Sequence, residues 1–573
     1  MTRNITALHQ RIQHLTERYP FAVHWQVRDI ATGQTIGHED RTVLGSFSTR
    51  KVSVLLACLA LVRAGKLSLD DTFVITEELK DGVQAGIMRN LSPGIALSLR
   101  DHLAQMMSTS DNMCTQLVFE AIEQATGNAL QWINDYCAQA GMFDTLHREV
   151  FPRSGQLPWH HSIESMTVTS AHDQALLLER LAHGVGNEDV AVGMGLTPDL
   201  CQLAIEFMSH IYTPLLGARV DNGRFVEKNG RGIRGLSQVG LLLDDDDVPV
   251  ASVAVFAESI PVALFDDVPG RARAIELFVN FGQLIEEHFL DGTLAPMAER
   301  HIIQPDFWEQ EFGELLYTAE NSRAVNADMA FTFSGVGKVF FAVILAELAA
   351  EHHDLLDGAL DITLEHRQRA ETGTLRHLTG PLRLSVNDAI QLIIGSGDGA
   401  AALAVLEYLH GRKIDVLSRA QSCFADLNNT EITGLEEDTS AGEAFIGTTT
   451  AADLLLVLRK IIDDDGLVKA WMSNVFEPGG LACALPGYGP HTIDHWTVSS
   501  WAHMIRYRPE HGRTSVLILN GSNGHYGIVA HAPVGTEDVS AKFGSLGQSS
   551  VPCSKTAVRQ DIEQRNANGS ITV

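Results

Sequence analysis

One long internal repeat constrains this chain more than any other feature. Residues 86–112 read GIMRNLSPGIALSLRDHLAQMMSTSDN and residues 373–399 read GTLRHLTGPLRLSVNDAIQLIIGSGDG. Gly86 pairs with Gly373, Arg89 with Arg376, Leu91 with Leu378, Asp101 with Asp388 and Asp111 with Asp398, all at an offset of 287. The same offset aligns GSFSTRKVSVLLACLAL (45–61) with TFSGVGKVFFAVILAEL (332–348), which pairs Lys51 with Lys338. Further on, TSAHDQALLLERL (169–181) resembles TTAADLLLVLRKI (449–461) at an offset of 280, so the second copy is shorter in between. A chain of 573 residues is also longer than a single hydrophobic core sustains. The reading is two homologous domains, 1–290 and 300–535, joined through the polar stretch DGTLAPMAER. A Gly/Ser-rich polar tail, 536–573, follows.

Within each copy, period and punctuation predict a mixed architecture. FAVHWQVRD and QTIGHE form a hairpin around Thr32-Gly33. VSVLLACLALVRAG is apolar on every side and predicts a buried helix. SLRDHLAQMM is a second helix with Ser98 as its cap, and residues 115–183 read as mainly helical. Three strands close the copy, in RFVEKNG, LSQVGLLL and VASVAVFAES, with Asp244 to Asp247 in a turn. Strands, then helices, then strands is the order of an α+β fold (an α/β sandwich). One antiparallel sheet is made from both ends of the copy, beside a helical lobe.

Charge and composition exclude several function classes. Lys and Arg number 42 against 71 Asp and Glu, a net charge of −29 that repels a phosphate backbone, so no nucleic-acid partner is expected. No apolar run is long enough to span a membrane. The opening MTRNITALHQRIQHLTERYP has no apolar signal region, which leads us to expect a cytoplasmic protein. Seven scattered cysteines without C-x-x-C read as reduced, buried thiols. No H-E-x-x-H or comparable ligand spacing occurs, so no metal and no cofactor is expected.

Three short motifs follow one another in the first copy. Ser48-Thr49-Arg50-Lys51 is an S-x-x-K just ahead of the most apolar helix. Ser110-Asp111-Asn112 is an S-D-N after the next helix, and Lys228-Asn229-Gly230 is a variant of K-T-G on a strand. A serine hydroxyl needs a neighbouring base to become a nucleophile, and positions i and i+3 of a helix share a face, so Lys51 is the natural base for Ser48. Burial and a second cation, Lys228, both favour the neutral amine that the task requires.

With these motifs in this order, the first copy resembles class A β-lactamases and penicillin-binding proteins, a family of active-site serine hydrolases. The second copy resembles them more weakly. The resemblance implies an acyl-enzyme mechanism on a β-lactam or other amide or ester, with a small-molecule substrate. It implies an oxyanion hole from the backbone N–H groups of Ser48 and Arg231. It gives Ser110 the relay of a proton to the leaving group, Asn112 the substrate amide, and Lys228, Asn229 and Gly230 the substrate carboxylate edge. A D-amino-acid peptidase or esterase, an acyltransferase in metabolite processing, and a non-hydrolytic acyl-binding protein are the alternatives.

The chain also departs from the family pattern. The E-x-x-L-N that supplies a deacylating base is missing from HREVFPRSGQLPWHHSIESMTVTS. Glu149 is the first positional candidate and Glu164 the second, with His160 and His161 as further loop residues. Asn229 stands where the family has Thr or Ser. In the second copy Gly335, Gly397 and Gly399 replace Ser48, Ser110 and Asn112, and only Lys338 and Asp398 persist. Matching SVAVFA (252–257) to SVLILN (515–520) sets His491-Thr492-Ile493 against the K-N-G motif. The second copy therefore reads as a degenerate pseudo-enzyme domain that contacts the first or supports a homodimer.

Overall fold

A computed structural model describes residues 4–150, 165–291 and 313–532, with Phe543 beyond them. Within those ranges residues 84, 233, 262–263, 266–267, 318–321, 326, 334, 437–439, 465, 474–480, 482–495, 503–512 and 522–523 are not described.

The first repeat opens with helix α1 (Ile5–Thr16) and the hairpin β1 (Ala22–Asp29) and β2 (Thr35–His38). The helical lobe follows: α2 (Lys51–Arg63), α3 (Leu99–Ser108), α4 (Asn112–Thr126), α5 (Ala129–Gln139), α6 (Ala171–Gly186) and α7 (Pro198–Ser209). The chain then returns to the sheet as β3 (Arg224–Arg231), β4 (Leu236–Leu243) and β5 (Pro249–Glu258), and ends in α8 (Gly270–Glu286). The sheet is antiparallel in the order β2-β1-β5-β4-β3, so strands from both ends of the repeat lie side by side.

The second repeat rebuilds this plan. It comprises β6 (Gly313–Tyr317), β7 (Ser322–Val325), α9 (Gly337–Glu351), α10 (Val386–Ser396), α11 (Gly399–Gly411) and α12 (Ala451–Asp464). The strands β8 (Trp496–Ala502), β9 (Arg513–Gly521) and β10 (Gly524–Ala532) complete it. Its sheet order is β7-β6-β10-β9-β8, the same topology strand for strand, and the fold is α+β in both copies.

That topology corrects one alignment. SVLILN lies on the middle strand β9, whereas SVAVFA lies on β5, whose counterpart is β10. Two neighbouring apolar strands look alike in sequence, and the match had slipped by one strand. The counterpart of β3, which carries Lys228, is β8, whose sequence WTVSSWA contains no lysine. His491, Thr492 and Ile493 lie outside the described residues.

Two cores hold the first repeat. On one face of the sheet Leu8, Ile12 and Leu15 of α1 meet Phe278, Phe281 and Ile285 of α8 around Trp25. Trp25 and Phe281 make an edge contact at 5.8 Å between ring centroids. The opposite face packs on the helical lobe, where every residue of α2 from Lys51 to Leu61 is buried. That core continues without a break into the second repeat, around Phe340, Phe341 and Ile393.

The junction between the repeats is reciprocal. The backbone N–H and hydroxyl of Ser92 donate to Asp388 Oδ1 at 2.8 and 3.0 Å. The backbone N–H and hydroxyl of Thr379 donate to Asp101 Oδ1 at 2.8 and 3.1 Å, and the Gly380 N–H donates to Asp101 Oδ2 at 2.9 Å. Ser92 and Thr379 are equivalent under the repeat, as are Asp101 and Asp388. One local solution is thus used twice, in the manner of an isologous dimer contact. The cysteines described are free thiols: Cys58, Cys114, Cys137 and Cys201 are buried and Cys423 is half-buried. Among the described residues no helix is long and apolar enough to cross a membrane.

Candidate active site

The site lies where α2 begins, between the α3–α4 junction and the sheet edge β3. Residues Phe47–Arg50 form a single 3-10 turn that leads into α2. Ser48 is half-buried in that turn, while Lys51, the first residue of α2, is 2% exposed. Phe47 holds a left-handed φ of 46° and Ser110 one of 55°. Such backbone costs of order 1–3 kcal/mol per residue and concentrates where a side chain or amide must be aimed.

Lys51 is the hub. Its Nζ donates to the Ser110 carbonyl at 2.7 Å and to Asn112 Oδ1 at 2.7 Å, and lies 3.1 Å from Ser110 Oγ. Two carbonyl acceptors and one hydroxyl match a neutral amine, which has two N–H groups and one lone pair. Burial brings the Lys51 pKa down to about 7, helped by Arg50 and opposed by Asp111. Among the described residues no hydrogen bond joins Lys51 to the Ser48 hydroxyl. The amine is engaged with the S-D-N arm.

The S-D-N arm is fixed by its middle residue. Asp111 caps α4 by accepting from Cys114 N at 3.0 Å, and it also accepts from Met88 N at 2.9 Å. Gly86 passes so close, at φ 106°, that an added Cβ would stand 2.0 Å from Asp111 Oδ2. Asp398 and Gly373 repeat this arrangement, with Thr374, Leu375 and Ala401 N–H groups on the carboxylate. The Gly–Asp pairs therefore survive in both copies for a structural reason.

On the other side β3 delivers Lys228, Asn229 and Gly230. A Cβ on Gly230 would come within 3.0 Å of Ser48 N, so only glycine lets the strand lie against that amide. Lys228 is fully buried and donates to Asn229 Oδ1 at 2.8 Å and to its carbonyl at 3.0 Å. Burial first, then charge on Lys51 and Arg231, drives its pKa well below the usual lysine range. Asn229 Nδ2 donates to Thr213 Oγ1 at 2.8 Å. Arg231 ends the strand with its side chain exposed.

Glu149 has both carboxylate oxygens engaged. Its Oε1 pairs with Arg50 Nη1 at 2.6 Å and its Oε2 accepts from Thr167 Oγ1 at 2.9 Å. Arg50 also donates to the carbonyls of Glu149 and Val150, which ties the loop to the start of α2. Glu164, His160 and His161 lie outside the described residues. Among the described residues no cluster of His, Cys, Asp and Glu is placed to hold a metal.

Sequence reading did not reach Phe47, Thr213 or the buried Glu227. Glu227 accepts from the N–H groups of Leu215, Leu216 and Gly217 and from Gln238 Nε2 beneath β3. A carboxylate directly before Lys228 inside an apolar strand was the available signal.

In the second repeat the turn at the position of Ser48 is engaged from elsewhere. The carboxylate of Glu443 accepts from Gly335 N and, at 2.9 Å, from Gly337 N. Burial pushes the Glu443 carboxyl up and the nearby Lys338 amine down.

The β-lactamase enzyme family profile matches residues 7–289 and again 312–478. Among solved structures, the chain is similar to a β-lactamase from Sphaerobacter thermophilus DSM 20745. Identity is 21%, coverage is 51% of this chain and 100% of that one, and the TM-score is 0.41. It is similar to PBP-A at 19% identity, over 50% of this chain and 97% of that one, with a TM-score of 0.41. A β-lactamase from Chitinophaga pinensis DSM 2588 matches at 17% identity, over 49% of this chain and 98% of that one, with a TM-score of 0.40. No curated protein matches the chain. With two matches that together take in most of its length, the chain belongs to the β-lactamase enzyme family.

Proposed function

We propose that the first repeat is a serine hydrolase that works through an acyl-enzyme on a β-lactam or another amide or ester. Family membership supports a function of serine-hydrolase type. The observation that carries the finer reading is the buried Lys51, brought to about 7 and bonded to Ser110 and Asn112 one turn from Ser48.

The Ser48 oxygen adds to the substrate carbonyl carbon while its proton passes to neutral Lys51. The oxygen of the adduct gathers charge beside the Ser48 and Arg231 N–H groups. The carbon–nitrogen (or carbon–oxygen) bond then breaks, and the leaving atom takes a proton from Lys51 through the Ser110 hydroxyl. Asn112 and Asn229 line the arms that receive the substrate. Buried Lys228 orders the arm, because its amine is already bound to Asn229.

Deacylation needs a base for water. With Glu149 committed to Arg50 and Thr167, we assign that residue to loop anchoring and expect a long-lived acyl-enzyme. The test is intact-mass spectrometry and absorbance with nitrocefin. An adduct on Ser48 that clears slowly is expected, with none on Ser48→Ala. Turnover that survives Ser48→Ala overturns the assignment. Parallel Glu149→Gln and Glu164→Gln variants report on the base: a slowed release in one of them identifies it.

A further inference from the structure

The segment between α7 and β3 touches both arms of the site and the second repeat at once. The Tyr212 N–H donates to the carbonyl of Ser108, the last residue of α3, at 2.9 Å. Two residues on lies Ser110. The Tyr212 hydroxyl donates to the carbonyl of Ser396, the last residue of α10 in the second repeat. Burial and the charge of Asp398 raise the Tyr212 pKa, so it stays a donor. Beside it, the His210 ring stacks on His377 of the second repeat, 3.7 Å between centroids and 18° between planes. The next residue, Thr213, accepts from Asn229 Nδ2 at 2.8 Å, and Asn229 in turn holds Lys228.

We propose that Tyr212 is a positioning residue through which the second repeat sets the Lys228–Asn229 arm against the Ser110 arm. The inert copy is then a structural part of the working site. Tyr212 meets no reacting atom. It acts through Thr213 and Asn229 on one side and the end of α3 on the other. The proposal rests on the serine-hydrolase reading above.

The experiment compares single-turnover acylation by nitrocefin in the full-length chain and in Tyr212→Phe, Thr213→Val, Thr213→Ser and the Tyr212→Phe/Thr213→Val double variant. A single net hydrogen bond spans about 2- to 10-fold, and we expect each of the first two to slow acylation within that range. Thr213→Ser, which keeps the acceptor, should restore the wild-type rate. The double variant should be no slower than the worse single, because both act on one chain of contacts. His377→Ala, made wholly in the second repeat, should slow acylation in the same direction. A Tyr212→Phe rate equal to wild type, or losses that multiply in the double variant, overturns the proposal. Should the wild-type chain fail to acylate, the function falls but the positioning claim is still decided by hydrogen exchange of residues 224–231. Faster exchange in Tyr212→Phe upholds it, and unchanged exchange overturns it.

Discussion

At the start of the central helix the two repeats part company. Both place a buried lysine there, Lys51 and Lys338, and burial depresses both amines. In the first repeat the amine looks toward Ser110 and Asn112, and the turn ahead of it carries a half-buried serine. In the second, glycine replaces that serine, and Glu443 spreads its carboxylate over the N–H groups of Gly335 and Gly337. The donor that corresponds to one half of the proposed oxyanion hole is therefore already occupied. The lysine is common to both copies, and what separates them at the turn is a carboxylate on the backbone donors, present in the second copy alone among the described residues.

The largest effect that breaks this contrast is loss of the nucleophile. Ser48→Ala should remove adduct formation and cut nitrocefin acylation by at least about 10³-fold, on the scale of losing a nucleophile in related triads. Gly335→Ser, by contrast, should produce no second adduct by intact mass, because Glu443 still covers the donors. A second adduct would mean that Glu443 does not keep those donors from a substrate.

Next comes the base. Lys51→Met should slow acylation by about 10²–10⁴-fold. The wild-type single-turnover rate should climb with pH through about 7 and level off above it, since only the unprotonated amine accepts the Ser48 proton. A rate that is flat between pH 5.5 and 9 removes Lys51 from that role.

Smaller effects sharpen the scaffold side of the comparison. Glu443→Ala strands the buried N–H groups of Gly335 and Gly337 and should cost about 1–3 kcal/mol in thermal or denaturant unfolding, with acylation of Ser48 little changed. Asp388→Ala frees the Ser92 N–H at the junction and should cost about 1 kcal/mol, measured the same way. Asp101→Ala should cost more than Asp388→Ala, because Asp101 receives three donors across the junction where Asp388 receives two. Equal costs for the two would show that the junction is insensitive to this difference.

Much of this was legible in the amino-acid order. The offset of 287 foretold two copies of one topology, and the apolar run after Lys51 foretold a helix buried on every side. Ser98 caps α3 by accepting from Asp101 N, as its position suggested. Of the three motifs, S-x-x-K and S-D-N meet through the bonds of Lys51 to Ser110 and Asn112, and Gly230 of the third lies against the Ser48 amide. What escaped has no pattern of its own. Glu443 sits where the two repeats differ in length, so no offset finds it. Tyr212 and Thr213 carry no motif and matter only through partners far away in the chain. Glu149 was chosen by position, and only coordinates show its two oxygens engaged by Arg50 and Thr167. The strand opposite Lys228 was misassigned because adjacent apolar strands share a period and a composition.

The reciprocal aspartates at the junction have one more consequence. A homodimer must carry any substitution on both sides of its axis, so it cannot keep one reactive subunit and one retired one. Here the two faces are encoded separately and delivered on a single polypeptide. Dilution cannot part them, and each half is open to selection by itself. The half with glycine at the Ser48 position still carries the face by which it is held.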